Sequence, residues 1–425
     1  MPSFCDHPQA PLPFSRPLRQ IVWIGAGMLI LAASLLQACS LVQRSDDRKP
    51  LAGAVGRTNG TLLAANGSRV SLPTILQETP DYLLIGESHD NACDHRVQAT
   101  VLQQAAARGH QLSLGLEMVP KSRQATLDRF NNGTLSLKEL ETELDWKTIW
   151  GHSFSLYAVL FQAAREHNID VYGLNLDRQL VEAVQQAGLS GLMPEERQRL
   201  PDRIIPPPEA QRAYLKKQLK RHKSLLQDKA KSTLSRERFF LIQSLWDSTM
   251  AAEAARIRQK TGNQLVIATG SGHVENDWGI AHRLKRLDPD AAIVSLMPWR
   301  GLEALQPDAA DYFFYCPVTG TSRFGFRFTL TRNGLLIHSV QPGSRAEQAG
   351  LRPSDRILRA GGNDLKAIFD LHSAAIRANK KAVPLSLTVD RKGEQLQLLL
   401  PMNGTETSNS GHSSEESSGK QPAEH

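Results

Sequence analysis

The strongest constraint on the fold is an alternation of short apolar runs with stretches of helical periodicity between residues 82 and 296. Short apolar runs bounded by turn residues are typical of strands buried on both faces, and intervening helices make neighbouring strands parallel. The predicted strands are 82–86, 112–118, 169–174, 264–270 and 291–296, with predicted helices at 97–105, 154–167 and 280–287. The pattern therefore predicts an α/β fold: a mostly parallel sheet sandwiched by helices.

The alternation breaks at residues 195–258, which we expect to form a helical insertion. It contains Pro206, Pro207 and Pro208 and many Lys and Arg residues, which supply much of the formal net charge of +7. A basic face is most often simply solvated, but it can also meet an anionic ligand. No nucleic-acid-binding motif accompanies the basic residues, so no nucleic-acid partner is expected. Insertions of this size often cover a binding site.

The first 39 residues have the pattern of a secretory signal. Arg16 and Arg19 precede an apolar run over 21–36, which ends before Ala38 and Cys39. The run is shorter than the ~20 residues of a spanning helix. The ending resembles a bacterial lipobox and implies lipidation at Cys39, with an uncleaved anchor as the alternative. Ser40 after the cysteine favours the outer membrane, so the expected location is the bacterial cell envelope, facing the periplasm or the surface.

Two polar segments frame the rest of the chain. Residues 40–56 are expected to be a tether, and the Ser/Glu-rich residues 403–425 a disordered tail. Export leaves Cys93 and Cys316 as thiols that could pair in an oxidising compartment, although their sequence positions do not show that they are close.

Polar residues follow four of the predicted strands where each strand ends. They are Glu87 and His89, then Glu117, then Asn175, and finally His273 within Gly270-Ser271-Gly272-His273. Ligands of open parallel sheets bind outside the carboxyl ends of the strands, so these residues are expected to share one site.

Histidine and glutamate side chains suit three tasks: metal ligation, acid–base catalysis, or hydrogen bonding to a bound group. Asp90, Cys93, Asp94 and His95 are further candidate donors. His95 lies six residues after His89, which does not fit a zinc-binding helix with two histidines one turn apart. The metal therefore stays unknown, and the three tasks stay open.

From Gly320 onward the sequence changes character. The stretch from Pro342 to Leu351, followed by Asp355-Arg356-Ile357-Leu358, resembles a PDZ domain covering residues 319–402. This resemblance implies a small, mainly β domain that binds a peptide or protein C-terminus at a sheet edge. The loop that would hold the carboxylate is Phe324, Gly325 and Phe326; a purely structural PDZ fold is the alternative.

The first domain, expected over residues 57–310, resembles the ChaN-like haem-binding family of the Tiki/TraB group. The matching stretches are Leu84–Asn91, Gly115–Met118, Tyr172–Asn175, Asp247–Ala251 and Gly270–Val274. The resemblance implies a lipoprotein tied to iron acquisition, with haem stacked between two subunits of a homodimer. The Tiki branch instead resembles metal-dependent proteases that use the same His and Glu positions.

For haem, a tyrosine oxygen with a nearby histidine is a chemically reasonable ligand pair for ferric iron. Tyr157 follows Trp146, Trp150 and Phe154 and is the predicted tyrosine, with a core position as the alternative. His222, in the basic insertion, is a second candidate, and the surrounding cations could meet the haem carboxylates. The haem-binding set is therefore His89, Glu117, Tyr157, Asn175 and His273.

Three functions follow from these residues. The first is a lipoprotein that binds haem or an iron compound without turnover. The second is a metal-dependent hydrolase in which His89, Glu117 and His273 bind a divalent ion or activate water, with Glu87 as the base. The third is a non-catalytic scaffold in which the PDZ domain recruits a partner.

Overall fold

The computed structural model describes residues 57–77, 80–225 and 236–402. The predicted signal peptide with Cys39, the tether and the tail lie outside the described residues. Within the described ranges, no helix is long and apolar enough to cross a membrane.

The first domain is built on a seven-stranded sheet with the order β1-β7-β6-β2-β5-β3-β4. All neighbours are parallel except β1, which pairs antiparallel with β7 at the edge. The α/β fold class predicted above is thus confirmed. The strands are β1 (Leu62–Ala64), β2 (Tyr82–Glu87), β3 (Leu112–Pro120), β4 (Asp170–Asn175), β5 (Gln264–Gly270), β6 (Ile293–Trp299) and β7 (Tyr312–Tyr315).

Helices cover both faces of this sheet, because alternate side chains of each strand point to opposite sides. Leu83 and Ile85 of β2 enter one apolar cluster, and Tyr82 and Leu84 enter the other. The helices are α1 (Leu72–Leu76), α2 (Ala92–Ala107), α3 (Gln124–Asn131), α4 (Leu137–Glu143), α5 (Trp146–Ile149), α6 (Phe154–Glu166), α7 (Arg178–Ala187), α8 (Pro194–Gln198), α9 (Glu209–Leu225), α10 (Arg236–Thr261) and α11 (Ile280–Leu287).

Two expected boundaries need correction. The first domain does not end at residue 310, because β7 pairs with β6 and extends the sheet to Tyr315. The insertion does not run to residue 258 as a separate unit either. Met250, Ala254 and Ile257 of α10 pack in the core beneath the sheet, so the second half of α10 is an ordinary covering helix.

Cys93 and Cys316 form a disulfide bond, with 5.8 Å between their Cα atoms and 223 residues between them in sequence. Cys93 lies in the first turn of α2, and Cys316 directly follows β7. The bond therefore ties the segment that leaves the first sheet to the start of α2.

The second domain is an antiparallel sheet with the order β14-β13-β11-β10-β9-β8, and the short β12 pairs with β11. Its core is formed by Phe326, Phe328, Leu335 and Ile357 together with one long helix. The elements are β8 (Thr319–Ser322), β9 (Phe326–Thr331), β10 (Gly334–Val340), α12 (Arg345–Gln348), β11 (Arg356–Ala360), β12 (Asn363–Asp364), α13 (Ile368–Lys380), β13 (Leu385–Arg391) and β14 (Glu394–Leu400).

Candidate functional site

His89 is held at the carboxyl end of β2 by a buried carboxylate. Its Nδ1 forms a short hydrogen bond with Oε1 of Glu87, the last residue of the strand, and both side chains are buried. The imidazole lies edge-on to Trp150, with 4.5 Å between ring centroids, and His152 lies 5.0 Å away on the same measure. The contact with Glu87 fixes the orientation of the imidazole, and His89 lines the cavity described below.

The turn after β2 is fixed by a buried ion pair. Asp94 accepts hydrogen bonds from both terminal nitrogens of Arg300, at 2.7 and 2.6 Å, and from the backbone N–H of Ser88 at 2.8 Å. Asn91 caps α2 through its side-chain oxygen, which accepts from the N–H of Cys93. His89 is therefore presented on a rigid turn, which favours a binding or catalytic position.

Glu117 reaches the same edge through an irregularity in β3. The register between β3 and β4 shifts after Leu116, and such bulges reorient the side chains that follow. One Glu117 oxygen accepts from the hydroxyl of Thr269 at 2.7 Å and from the N–H of Gly270 at 2.6 Å. The other lies 3.4 Å from Nε2 of His273.

His273 is held between two carboxylates. Its Nδ1 lies 2.6 Å from Oδ1 of Asp247 on α10, and Oδ2 of Asp247 lies 3.3 Å from the buried guanidinium of Arg283. The backbone of His273 packs closely against Gly279, where a Cβ would overlap it, so this close approach requires glycine. Asp247 belongs to a stretch that carried the family resemblance, but sequence reasoning did not single it out.

The carboxylates and imidazoles of this site shift one another's pKa values. Burial would lower the pKa of His273, but the charges of Glu117 and Asp247 outweigh it and raise that pKa to about 10. Burial would raise the pKa of Glu117, but the His273 charge holds it well below the usual range. For His89, the charge of Glu87 likewise outweighs burial and raises the pKa. His273 is therefore a cation at neutral pH.

A cavity opens above these residues at the carboxyl edge of the sheet. Part of this cavity is open to solvent. The walls are mostly apolar, and His89, Glu117, Asn175 and His273 line it together. The aromatic side chains that line it are Trp150, Tyr214, Trp246 and Trp278.

Tyr214 is a cavity residue that the sequence did not identify. Gln211, Tyr214 and Leu215 of α9 all face the cavity, which is the three- and four-residue spacing of one helix face. The Tyr214 hydroxyl hydrogen bonds to the carboxylate of Glu275, and the Tyr214 ring lies 5.7 Å from that of Trp278. Burial raises the pKa of Glu275 to about 7. The helical spacing within the insertion was the signal that could have revealed this face.

Tyr157 takes the core position that the sequence left as the alternative. It is buried on α6, packs against His95 and Trp146, and does not line the cavity. Its hydroxyl points at the backbone carbonyl of His89 at 3.4 Å. Burial and the charge of Glu87 raise the Tyr157 pKa well above its usual value, which disfavours a phenolate. Tyr157 thus lies in the core behind His89, whereas Tyr214 lines the cavity.

The remaining candidates are placed as follows. The Asn175 side chain lines the cavity and accepts a hydrogen bond from the N–H of Leu176 at 2.8 Å. His95 lies behind His89, with Nε2 at 3.8 Å from Glu87. The side chain of His222 lies outside the described side chains. In the part of the chain that the structure describes, no three His, Cys, Asp or Glu side chains are arranged to hold a metal ion.

The predicted peptide-binding loop leads into β9. Gly325 has a φ of +92°, and a Cβ there would overlap the side chain of Ser344, so the turn requires glycine. Phe326 is buried in the second core, and Phe324 packs at its margin.

Residues 77–284 match the model of a family described as haem-binding uptake, Tiki superfamily, ChaN. Residues 322–401 match the model of the PDZ domain. The chain contains a ChaN-like domain followed by a PDZ domain. Both resemblances stated from the sequence are thereby confirmed.

Solved structures and curated proteins give further likenesses. The cofacial haem complex of ChaN from Campylobacter jejuni is 19% identical, with a TM-score of 0.48, over 60% of this chain and 95% of that one. A mutant of the erythromycin esterase EreC in its open conformation is 15% identical with a TM-score of 0.33, over 56% and 76% of the two chains. Protease RseP of Photorhabdus luminescens is 39% identical over 62 residues, which is 15% of this chain and 26% of that protein.

Proposed function

We propose that the ChaN-like domain binds haem in the cavity above β2, β3 and β5. The observation that carries the proposal is the lining of this cavity. Aromatic side chains line it together with His89 and His273, and each imidazole contacts a carboxylate. A mostly apolar cavity with a few convergent polar groups suits a large apolar cofactor with polar edges. The match to a haem-binding family supports the same conclusion.

Tyr214 and His89 are the cavity residues whose chemistry best fits an iron ligand. A phenol that donates to a carboxylate, as Tyr214 does to Glu275, has a ready acceptor for its proton. Ferric iron accepts phenolate oxygen and imidazole nitrogen as axial ligands. Glu87 would set the orientation of the His89 imidazole through its contact with Nδ1.

Positive charge in the cavity suits the two carboxylates of haem. His273 is cationic near neutral pH, since its pKa is raised to about 10. Arg178 of α7 also lines the cavity, and its guanidinium pairs with Glu182 at 2.9 Å. Because the charge of His273 is balanced by Glu117 and Asp247, Arg178 would bind and orient the anionic edge of the porphyrin, while the tryptophans would exclude water from its face.

Hydrolysis is the second candidate, because two His–carboxylate pairs face one cavity, an arrangement typical of general bases. One feature opposes it. A general base works best with a pKa near the working pH, whereas His273 stays protonated there. Glu117 already contacts Thr269, Gly270 and His273. It would then position His273 and would not activate water.

The test is a haemin titration of the chain that begins at Ser40, followed by the Soret absorbance. We expect saturable binding near one haem per chain, at least tenfold weaker in Tyr214→Phe and unchanged in the matched control Tyr157→Phe. Equal binding by all three proteins would contradict the assigned cavity. Metal-dependent ester or peptide turnover that is lost in Glu117→Gln, without a Soret shift, would establish the hydrolase instead.

The cellular setting completes the proposal. We infer an envelope lipoprotein anchored through Cys39, and the disulfide supports an oxidising compartment. Fatty-acid labelling tests the anchor: we expect label on the unaltered chain and none on Cys39→Ser, and no label on either would contradict lipidation. Pairing of two chains around stacked haems is part of the same proposal, and light scattering with and without haemin tests it. The PDZ domain would bind a peptide or a protein C-terminus.

A further inference from the structure

The edge of the PDZ domain where a peptide would add is covered by the chain itself. In peptide recognition of this kind, a partner strand pairs with a sheet edge and its carboxylate meets backbone amides of the adjoining loop. Here β9 follows that loop, and β9 pairs with β10 on one side and with β8 on the other. Both edges of β9 are therefore occupied.

β8 has the direction and the contacts of a bound C-terminal strand. It runs antiparallel to β9, with Ser322 at the loop end. The carbonyl oxygen of Ser322 accepts from the N–H of Gly325 at 2.9 Å, and its hydroxyl accepts from the N–H of Phe324 at 3.2 Å. These are amides of the loop that would hold a carboxylate.

Residues before β8 are fixed to the ChaN-like domain. Cys316 is bound to Cys93, and its carbonyl oxygen accepts from Arg300 at 3.0 Å. The carbonyl oxygen of Pro317 accepts from the side chain of Asn91 at 2.9 Å. A residue in a β-strand already spans nearly the greatest distance that a residue can span. The segment between Pro317 and the loop therefore cannot stretch much further.

We propose that residues 319–322 act as an internal ligand of the PDZ domain, which a partner polypeptide with a free C-terminal carboxylate must displace. The side chains of β8 are small and polar, and its outward positions are exposed. The internal ligand therefore forms backbone hydrogen bonds with β9 but places no large apolar side chain in a pocket. A partner that brings such a side chain would outcompete it.

The hydrogen-bond register provides a matched pair of variants. Leu330 donates to the carbonyl of Val318 at 2.8 Å. Since hydrogen-bonded pairs alternate along an antiparallel ladder, Gly320 is the next residue whose N–H points at β9, and the N–H of Thr321 points away. Gly320→Pro therefore removes a ladder donor, and its added Cβ would also lie 2.9 Å from the Phe328 ring, so both changes release β8. Thr321→Pro places the same residue type where no ladder donor is lost.

The experiment selects binders from a pooled library of random peptides with free C-termini, using the full exported chain. An enriched peptide should bind Gly320→Pro at least tenfold more tightly than the unaltered chain and Thr321→Pro. The same peptide with an amidated C-terminus should lose binding. Equal affinity for the three chains overturns the proposal, and so does failure to enrich any peptide on a folded Gly320→Pro chain.

A second variant keeps the test sharp if Gly320→Pro does not fold. Thr321 and Arg327 are directly opposite in a non-hydrogen-bonded pair. Thr321→Cys with Arg327→Cys, oxidised, should bind a selected peptide at least tenfold more weakly than Thr321→Ser with Arg327→Ser. Equal binding, or no selectable peptide on the serine chain, overturns the proposal.

Hydrogen exchange should show that peptide binding exposes the amide of Gly320; continued protection would also refute displacement.

Discussion

Replacement of His273 by glutamine should change how the stability of the ChaN-like domain depends on pH. In the folded protein the pKa of His273 is raised to about 10, from an ordinary value of 6.5, by Glu117 and Asp247 acting against burial. Because the folded pKa is the higher one, the stabilisation is complete below the unfolded pKa. It declines as pH rises and is gone above the folded pKa.

The magnitude follows from proton linkage. Above about pH 7.5 the unfolded imidazole is neutral and the folded one is protonated, so the folded state holds one more proton. The free energy of unfolding then falls by about 1.4 kcal/mol per pH unit through this group. From about pH 7.5 to about pH 9 the stability difference between the unaltered chain and His273→Gln should shrink by ~2 kcal/mol.

Denaturant unfolding followed by tryptophan fluorescence measures this difference. Trp23 lies in the predicted signal peptide, and the other five of the six tryptophans lie in the ChaN-like domain, so the signal reports on that domain. Glu117 does not contribute in this window, because its carboxyl is ionised in both states. Parallel stability curves for the two proteins would refute the assignment of a protonated His273.

Three further predictions concern stability. Asp94→Asn should destabilise the ChaN-like domain by about 3–5 kcal/mol in urea unfolding, because it leaves the buried guanidinium of Arg300 without its carboxylate; a loss below ~1 kcal/mol would contradict this. Replacing Cys93 and Cys316 by alanine should cost up to ~5 kcal/mol, since the bond closes a loop of 223 residues; an unchanged melting temperature would argue against that role. Gly325→Ala should destabilise the PDZ domain by ~1–3 kcal/mol, read by its hydrogen exchange, and native protection of β9 would show that the turn tolerates a side chain.

Much of the fold was predictable because its signals are local. The apolar runs that became β2 and β5 are bounded by polar residues and turn residues, and the helix Ile280–Leu287 was predicted at its observed bounds. The short helices α3, α4 and α5 were missed, because helices of four to eight residues carry too few turns to show periodicity. The edge pairing of β1 with β7 joins residues far apart in sequence, and no local pattern encodes it.

The candidate site was predictable in part for the same reason. His89, Glu117, Asn175 and His273 come directly after or within strands, and parallel topology brings such ends together. Tyr214 lies on a helix of the insertion, and its approach to the cavity depends on how that helix folds back. Tyr157 shows the reverse case: an aromatic residue near the site in sequence points into the core.

The most direct test of the central claim is a resonance Raman spectrum of the ferric haem complex, excited to enhance iron–phenolate vibrations. The account predicts these vibrations in the unaltered protein and in Tyr157→Phe, and their loss in Tyr214→Phe. Their absence from the unaltered protein, or their loss only in Tyr157→Phe, would contradict haem ligation by Tyr214 in this cavity.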